Sequence, residues 1–192
     1  ELKYYEEDFK VFDLEDLVNK QATGSQDVKV YYAASDGGAD KNVLEYLADD
    51  KSIEEIHAAL ILGIKDYFSK MGFDKAIIGS SGGIDSAVTI ALAVEALGKE
   101  NVRAVLMPSH YSTSHSVSDA EQLSKNIGNP YDIIAIKNIY DAFLTELSPV
   151  FKDLPFSVAE ENIQSRTRGN LLMAIANKFG YILLNTSNKS EL

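Results

Sequence analysis

Gly79-Ser80-Ser81-Gly82-Gly83-Ile84-Asp85-Ser86 lies between a short apolar run, Ala76-Ile77-Ile78, and a long one that opens at Ala87. The first run reads as a buried strand and the second as a helix. The glycines therefore fall in a strand-to-helix turn, with Asp85 and Ser86 where the helix starts. Backbone N–H groups at a helix N-terminus point outward unpaired and carry the positive end of the helix dipole. Glycines let that backbone approach a ligand without interference from a Cβ. Together these features make an anion site, most often for phosphate.

Outward from this stretch, strands and helices alternate. Ser52-Ile53-Glu54-Glu55 is a capping box, followed by Ile53, Ile56, Leu60, Ile64, Tyr67 and Phe68 at helical spacing and by Gly72 as a stop. The first strand is expected at about residues 75–79. The helix after the glycine loop is apolar nearly all round to Gly98, which predicts burial on most sides. Val102 to Met107 reads as a second strand, stopped by Pro108. Ser109 to Ser118 is a polar loop, and a capping box at Ser118-Asp119-Ala120-Glu121 opens a helix that ends near Gly128. Ile133-Ile134-Ala135-Ile136 reads as a third strand, followed by a helix of about ten residues from Asn138. Pro149 and Pro155 bracket an irregular loop. Ser157-Val158-Ala159-Glu160 caps a long helix to Phe179, with Gly180 as its stop, and Tyr181 to Leu184 is a fourth strand.

Such alternation predicts an α/β fold: a doubly wound parallel sheet with helices on both faces. Ligands in such sheets bind beyond the carboxyl ends of the strands. Three polar loops leave those ends, Gly79–Asp85, Pro108–Ser118 and Asn185–Glu191, and should converge on one cleft. Residues 1–51 are less regular and acidic, and read as a linker or peripheral arm beside a domain from residue 52 to residue 192.

The totals narrow the chemistry. The 192 residues carry a net charge of −11 and no cysteine, which removes disulfides, zinc-thiolate sites and a cysteine nucleophile from this chain. The acidity disfavours nucleic-acid binding. It also repels nucleotides, so a phosphate site must be made attractive locally by amides, a metal ion or placed arginines. No apolar run reaches the length of a membrane span, and no leader pattern is visible, so the cytoplasm is the default location.

The loop is not a Walker A sequence, because no Gly-Lys-Ser/Thr follows, and its glycines have the wrong spacing for a dinucleotide fingerprint. A glycine turn by itself requires nothing beyond positive φ, and Asp85 by itself is an ordinary first-turn acid. The unit Ser81-Gly82-Gly83-Ile84-Asp85-Ser86 is more specific. It resembles the PP-loop of the ATP pyrophosphatases, whose fold is like that of the adenine nucleotide alpha hydrolases. That resemblance implies cleavage of ATP between the α- and β-phosphates, with Gly79, Ser80, Ser81, Gly82, Gly83, Ile84, Asp85 and Ser86 binding ATP and Asp85 acting in catalysis as a ligand of Mg²⁺.

Later stretches sharpen the resemblance. Glu160 to Met173 looks like the signature helix of NAD synthetases, Asn185 to Leu192 like the loop after their next strand, and Met107-Pro108-Ser109-His110-Tyr111-Ser112 like their adenine-side loop. The match runs from about residue 52 to the end and is closest to the glutamine-dependent branch, including the arm around Glu7 to Asp13. Asn162, Arg166 and Asn170 are spaced i, i+4, i+8 and form one polar stripe, which is also how a solvated helix face looks. The resemblance implies that Asn162 and Arg166 contact deamido-NAD⁺, that Met107 and Thr186 contact ATP, and that Glu191 binds substrate or a second Mg²⁺. It implies ammonia delivered from glutamine and a homo-oligomer, a dimer or larger, with no nucleic-acid or membrane partner. His110 and His115 read as surface or adenine-adjacent residues rather than a general base, His57 as structural, and Gln164 with Arg168 as an exposed pair rather than a second face toward a partner subunit. Ser187 stands where many relatives carry glycine.

The expected activity is ATP-dependent amidation of deamido-NAD⁺ through an adenylated intermediate. The alternatives are another PP-loop amide-forming ligase, a tRNA-modifying enzyme, or a nucleotide-binding module without turnover. Without a cysteine the chain cannot hold the glutaminase site of the glutamine-dependent branch. The synthetase domain is expected to continue beyond residue 192.

Overall fold

In β1, Ala76–Ser80, alternate side chains point to opposite faces of the sheet. Ala76 and Ile78 are fully buried on one face and Ile77 on the other, so the strand is covered on both sides. A computed structural model describes residues 50–110, 112, 114–152 and 154–187, with Ser114 described by its backbone alone. The expectations for residues 1–49, Tyr111, Thr113, Asp153 and residues 188–192, Glu191 among them, lie outside the described residues.

The element order is α1 Asp50–Met71, β1, α2 Ile84–Leu97, a 3-10 turn at Lys99–Asn101, β2 Val102–Leu106, α3 Ser114–Ile127, β3 Tyr131–Ile133, α4 Lys137–Phe151, α5 Val158–Phe179 and β4 Ile182–Leu184. The chain divides into two units between Ala59 and Leu60, within α1. Of the first unit only residues 50–59 are described, and they are helical. The sheet and the helices from residue 60 onward belong to the second.

All pairings are parallel, in the order β3-β2-β1-β4. The chain steps from β1 through β2 to β3 and then places β4 on the other side of β1. The order therefore reverses at β1, the arrangement that opens a crevice at the strand ends. One face of the sheet is closed by Phe68 of α1, Ile90 and Ala93 of α2, and Leu123 and Ile127 of α3. The other is closed by Leu172 and Ala176 of α5 and by Ile136. The parallel α/β class and both-face coverage match the expectation.

Several local expectations are corrected. The helix after the glycine loop is not buried on most sides. Only Ser86, Ile90 and Ala93 of α2 are buried, while Val88 and Ile84 are largely exposed, because the sheet and α3 cover a single stripe of it. The capping box at Ser118 does not open a helix: α3 already runs from Ser114, and Ser118 Oγ donates back to the His115 carbonyl at 2.9 Å. Ser52 likewise lies inside α1.

The third strand is framed two residues early, at Tyr131–Ile133 rather than Ile133–Ile136. β2 ends before Pro108, which has no N–H to continue a ladder. Past Ile133 the chain only donates, from Ile134 N to Leu106 O at 2.8 Å and from Ile136 N to Pro108 O at 3.0 Å. Pro149 is not in a loop either; it sits in the last turn of α4, where its missing N–H forfeits one terminal bond. By contrast, α5 starts and stops where its spacing says. Ser157 Oγ accepts from Ala159 N at 3.2 Å, Glu160 Oε2 accepts from Ser157 N at 2.8 Å, and Gly180 closes the helix in the left-handed region.

Candidate active site

The glycine loop is shaped from within by its own serines. Ser86 is buried at the first turn of α2, and its Oγ donates to Gly83 O at 2.9 Å. That uses its one hydroxyl hydrogen. The 3.2 Å contact between the two hydroxyls is therefore donated by Ser81 Oγ, which also accepts from Gly83 N at 3.2 Å. Ser81 N completes the ring of contacts at 3.3 Å from Ser86 Oγ. Gly83, the N-cap of α2, offers no side-chain oxygen, so the helix start is not capped from within and keeps its attraction for anions.

Gly82 explains why the loop needs glycine. Its φ is +83°, and a Cβ placed there would stand 2.3 Å from the backbone oxygen of Ser116. The loop thus presses directly on the first turn of α3. Gly79 is constrained from the opposite face, where a Cβ would meet Leu172 Cδ1 of α5 at 3.2 Å.

The strand ends enclose a cleft of about 370 Å³. Gly79, Ser80 and Ser81 form one wall, Met107, Pro108, Ser112, Ser116 and Val117 a second, and Arg168, Leu172 and Thr186 a third. The described parts of the three polar loops therefore converge as expected. Ser80 also borders a second cavity of about 350 Å³ between α2 and α3, together with Gly82, Gly83, Ile84 and Ser86. Ser80 Oγ is buried with no hydrogen-bond partner among the described residues.

Of the residues singled out from sequence, Gly79, Ser80, Ser81, Met107 and Thr186 meet in the cleft. Gly82, Gly83, Ile84 and Ser86 support it from the α2 side. Asp85 is exposed in the first turn of α2 and lines neither cavity. Asn162, Arg166 and Asn170 share the exposed face of α5, outside the cleft lining. His110 Nε2 lies 3.4 Å from Asp141 Oδ1, and neither residue lines the cleft. The Asp141 carboxyl is held below its ordinary range chiefly by Lys137, and secondarily by His110.

The exposed-pair reading of Gln164 and Arg168 is corrected. Gln164 is buried, and Arg168 is half-buried with its Nε donating to Met107 O at 3.2 Å. Spacing alone could not find this, because the i, i+4 relation of Gln164 and Arg168 says that they share a face but not which way the face points. Among the described residues no group of three or more His, Asp or Glu side chains is arranged to hold a metal. Mg²⁺ needs no such cage, since it commonly binds through one or two carboxylates plus substrate phosphates and water. Asp85 in the first turn of α2 could supply one such carboxylate, and Asp119 lines the second cavity with Gly82, Gly83 and Ser86. No helix among the described residues is long and apolar enough to cross a membrane.

Comparison with known proteins agrees with this geometry. The NAD synthase family model matches residues 55–192. The chain is 60% identical over 139 residues to the glutamine-dependent NAD(+) synthetase of Synechocystis sp., covering 72% of this chain and 25% of the relative. It is 50% identical over 141 residues to that of Aquifex aeolicus, covering 73% and 25%. The glutamine-dependent NAD+ synthetase of Acinetobacter baumannii, solved with ADP, superposes with a TM-score of 0.70 at 45% identity, over 71% of this chain and 26% of that one. The NMN synthetase of Francisella tularensis superposes with a TM-score of 0.66 at 30% identity, over 72% and 56%. This chain thus spans about a quarter of the length of the glutamine-dependent relatives. With a parallel sheet reversing at β1, a glycine loop on α2 and the family match over residues 55–192, the chain belongs to the NAD synthase family.

Proposed function

We propose that this chain carries the ATP-cleaving part of a glutamine-dependent NAD⁺ synthase. The observation that carries the reading is the Gly79–Ser86 loop, whose helix start lacks a side-chain cap and which walls a cleft shared with Met107 and Thr186. A carboxylate oxygen of deamido-NAD⁺ attacks the α-phosphorus of ATP, and the bond to the bridging oxygen of the β-phosphate breaks. Pyrophosphate leaves against the loop amides and the positive end of α2. Ammonia then attacks the carbonyl carbon of the mixed anhydride, AMP departs with the bridging oxygen, and the nitrogen loses a proton to give the amide. Most of the acceleration comes from positioning and charge neutralisation, so no protein nucleophile is needed.

Asp85 would hold Mg²⁺, which when bound neutralises the charge of the terminal phosphates, and Glu191 is the proposed second ligand. Gly79 to Ser86, Met107 and Thr186 bind ATP. Asn162 and Arg166 bind the dinucleotide. Their exposure suits a substrate that lies along α5 and a site completed by further chain or by a second subunit of a homo-oligomer. Residues 52–192 belong to the synthetase domain, residues 1–51 are a linker or arm from a preceding domain, and the ammonia comes from glutamine hydrolysed elsewhere in the whole protein. An ATP-consuming reaction of this kind belongs in the cytoplasm.

The test incubates the whole protein with ATP, Mg²⁺, deamido-NAD⁺ and ammonia. NAD⁺, AMP and pyrophosphate should form in equal amounts, and their absence refutes the proposal. The similarity to an NMN synthetase favours one second reading, the same amidation on a nicotinate mononucleotide. A higher kcat/KM for the mononucleotide than for the dinucleotide would select it.

A further inference from the structure

Arg168 is the sole charged side chain among the described residues that line the cleft. Its Nε–H is spent on Met107 O at 3.2 Å. The two Nη groups have no partner among the described residues, and burial alone pushes the guanidinium below its ordinary proton affinity. A half-buried cation without a counter-charge is costly unless an anion arrives. In a chain of net charge −11, such a residue beside a phosphate loop calls for a ligand.

Its position says which anion. Met107 closes the end of β2 and leads into the wall formed by Pro108 and Val117. Leu172, one turn after Arg168 on the same helix face, packs against Gly79, as the end of the Met107 side chain also does. Arg168 therefore stands between the β2 wall and the glycine loop. On the reading above, the loop takes the two terminal phosphates and the β2 wall takes the purine. The group between them is the α-phosphate, the one retained in AMP.

We propose that Arg168 binds the α-phosphate of the nucleotide through its Nη groups while its Nε–H fixes the guanidinium to Met107 O. This rests on the proposed ATP site but not on the acid that is amidated. Arginine suits the task because its fork can keep one edge on a carbonyl and present the other to phosphate oxygens. Arg166, two residues away on the exposed face, cannot substitute for it.

The test measures binding of AMP, adenosine and pyrophosphate to the whole protein by calorimetry. Arg168→Gln should weaken AMP about 10- to 100-fold, the worth of charged hydrogen bonds to phosphate, and leave adenosine and pyrophosphate within about twofold. Arg168→Lys, which keeps the charge and loses the fork, should lie between. Unchanged AMP affinity overturns the proposal. So does an equal loss for AMP and adenosine, which would make Arg168 only a prop for Met107. A measurement on the wild type covers the case of a variant that does not fold. Modification of Arg168 by phenylglyoxal, followed by mass spectrometry, should be slowed by AMP and not by adenosine; equal protection by both overturns the proposal. Nucleotide binding with no amidation of either nicotinate nucleotide would refute the proposed reaction and leave this assignment standing.

Discussion

Gly82→Ala should disrupt the glycine loop more than any other single methyl addition in it. Two penalties act together. The φ of +83° is left-handed, where an L-residue costs roughly 1–2 kcal/mol. The new Cβ would also lie 2.3 Å from Ser116 O, and 2.9 Å from that residue's Cα and carbonyl carbon. These are backbone atoms at the start of α3 and cannot rotate away. An ordinary carbon–oxygen contact is about 3.3 Å, so loop and helix must part by about 1 Å. Overpacking of this kind costs about 1–3 kcal/mol, which brings the total to about 2–5 kcal/mol. The movement falls on the amides proposed to hold the departing pyrophosphate, where a 1 Å misplacement is worth about 100-fold in rate. Urea unfolding and kcat/KM for pyrophosphate release measure the two effects. Gly72→Ala is the control. It shares a φ of +73° but has no described atom within 4 Å of its Cβ, so it should show the strain alone and keep full activity. A Gly82→Ala protein no less stable than Gly72→Ala, with kcat/KM within about threefold of wild type (under 1 kcal/mol of barrier), would show that the Ser116 contact does not constrain the loop.

Other outcomes follow from the same structure. Asp85→Asn should raise the Mg²⁺ concentration needed for half-maximal pyrophosphate release by at least about tenfold, the effect of removing one charged ligand; an unchanged Mg²⁺ titration would remove its metal role. Leu172→Ala deletes a buried side chain that packs against Gly79 and should cost about 2–5 kcal/mol, read by chemical denaturation. Ser157→Ala should cost about 1 kcal/mol by uncapping α5. The N–H and hydroxyl of Ser157, with the Glu160 N–H, hold the Glu160 carboxyl below its ordinary value of 4.5. A depressed carboxyl stabilises the fold above its unfolded pKa, and that contribution is lost as pH falls through the lower folded value. Glu160→Gln should therefore flatten the stability profile below about pH 4.5 and leave its shape near neutrality unchanged.

Much of this protein is written locally. The capping box Ser157–Glu160 and the stop at Gly180 join groups within a few residues of one another, so spacing alone locates both ends of α5. The runs at Ala76–Ile78 and Val102–Leu106 are buried on both faces except at Arg103, and their apolar composition says so without knowledge of their neighbours. The loop is equally legible, because its Ser81–Ser86–Gly83 contacts all close within six residues.

What sequence could not show depends on groups far apart in the chain. Where β3 lies was decided by Pro108 ending its partner strand. Val88 is exposed because the sheet and α3 cover only one stripe of α2, whereas its composition suggested burial all round. Gly82 needs glycine not only for its φ but for the backbone of Ser116, thirty-four positions later. The two arginines of α5 make the point most sharply. Arg166 and Arg168 are two residues apart, about 200° around a helix. Sequence sets that angle and hence that they face opposite ways. Only the packing of Leu172 against Gly79 and the bond from Arg168 to Met107, sixty-one positions distant, decide which of them enters the cleft.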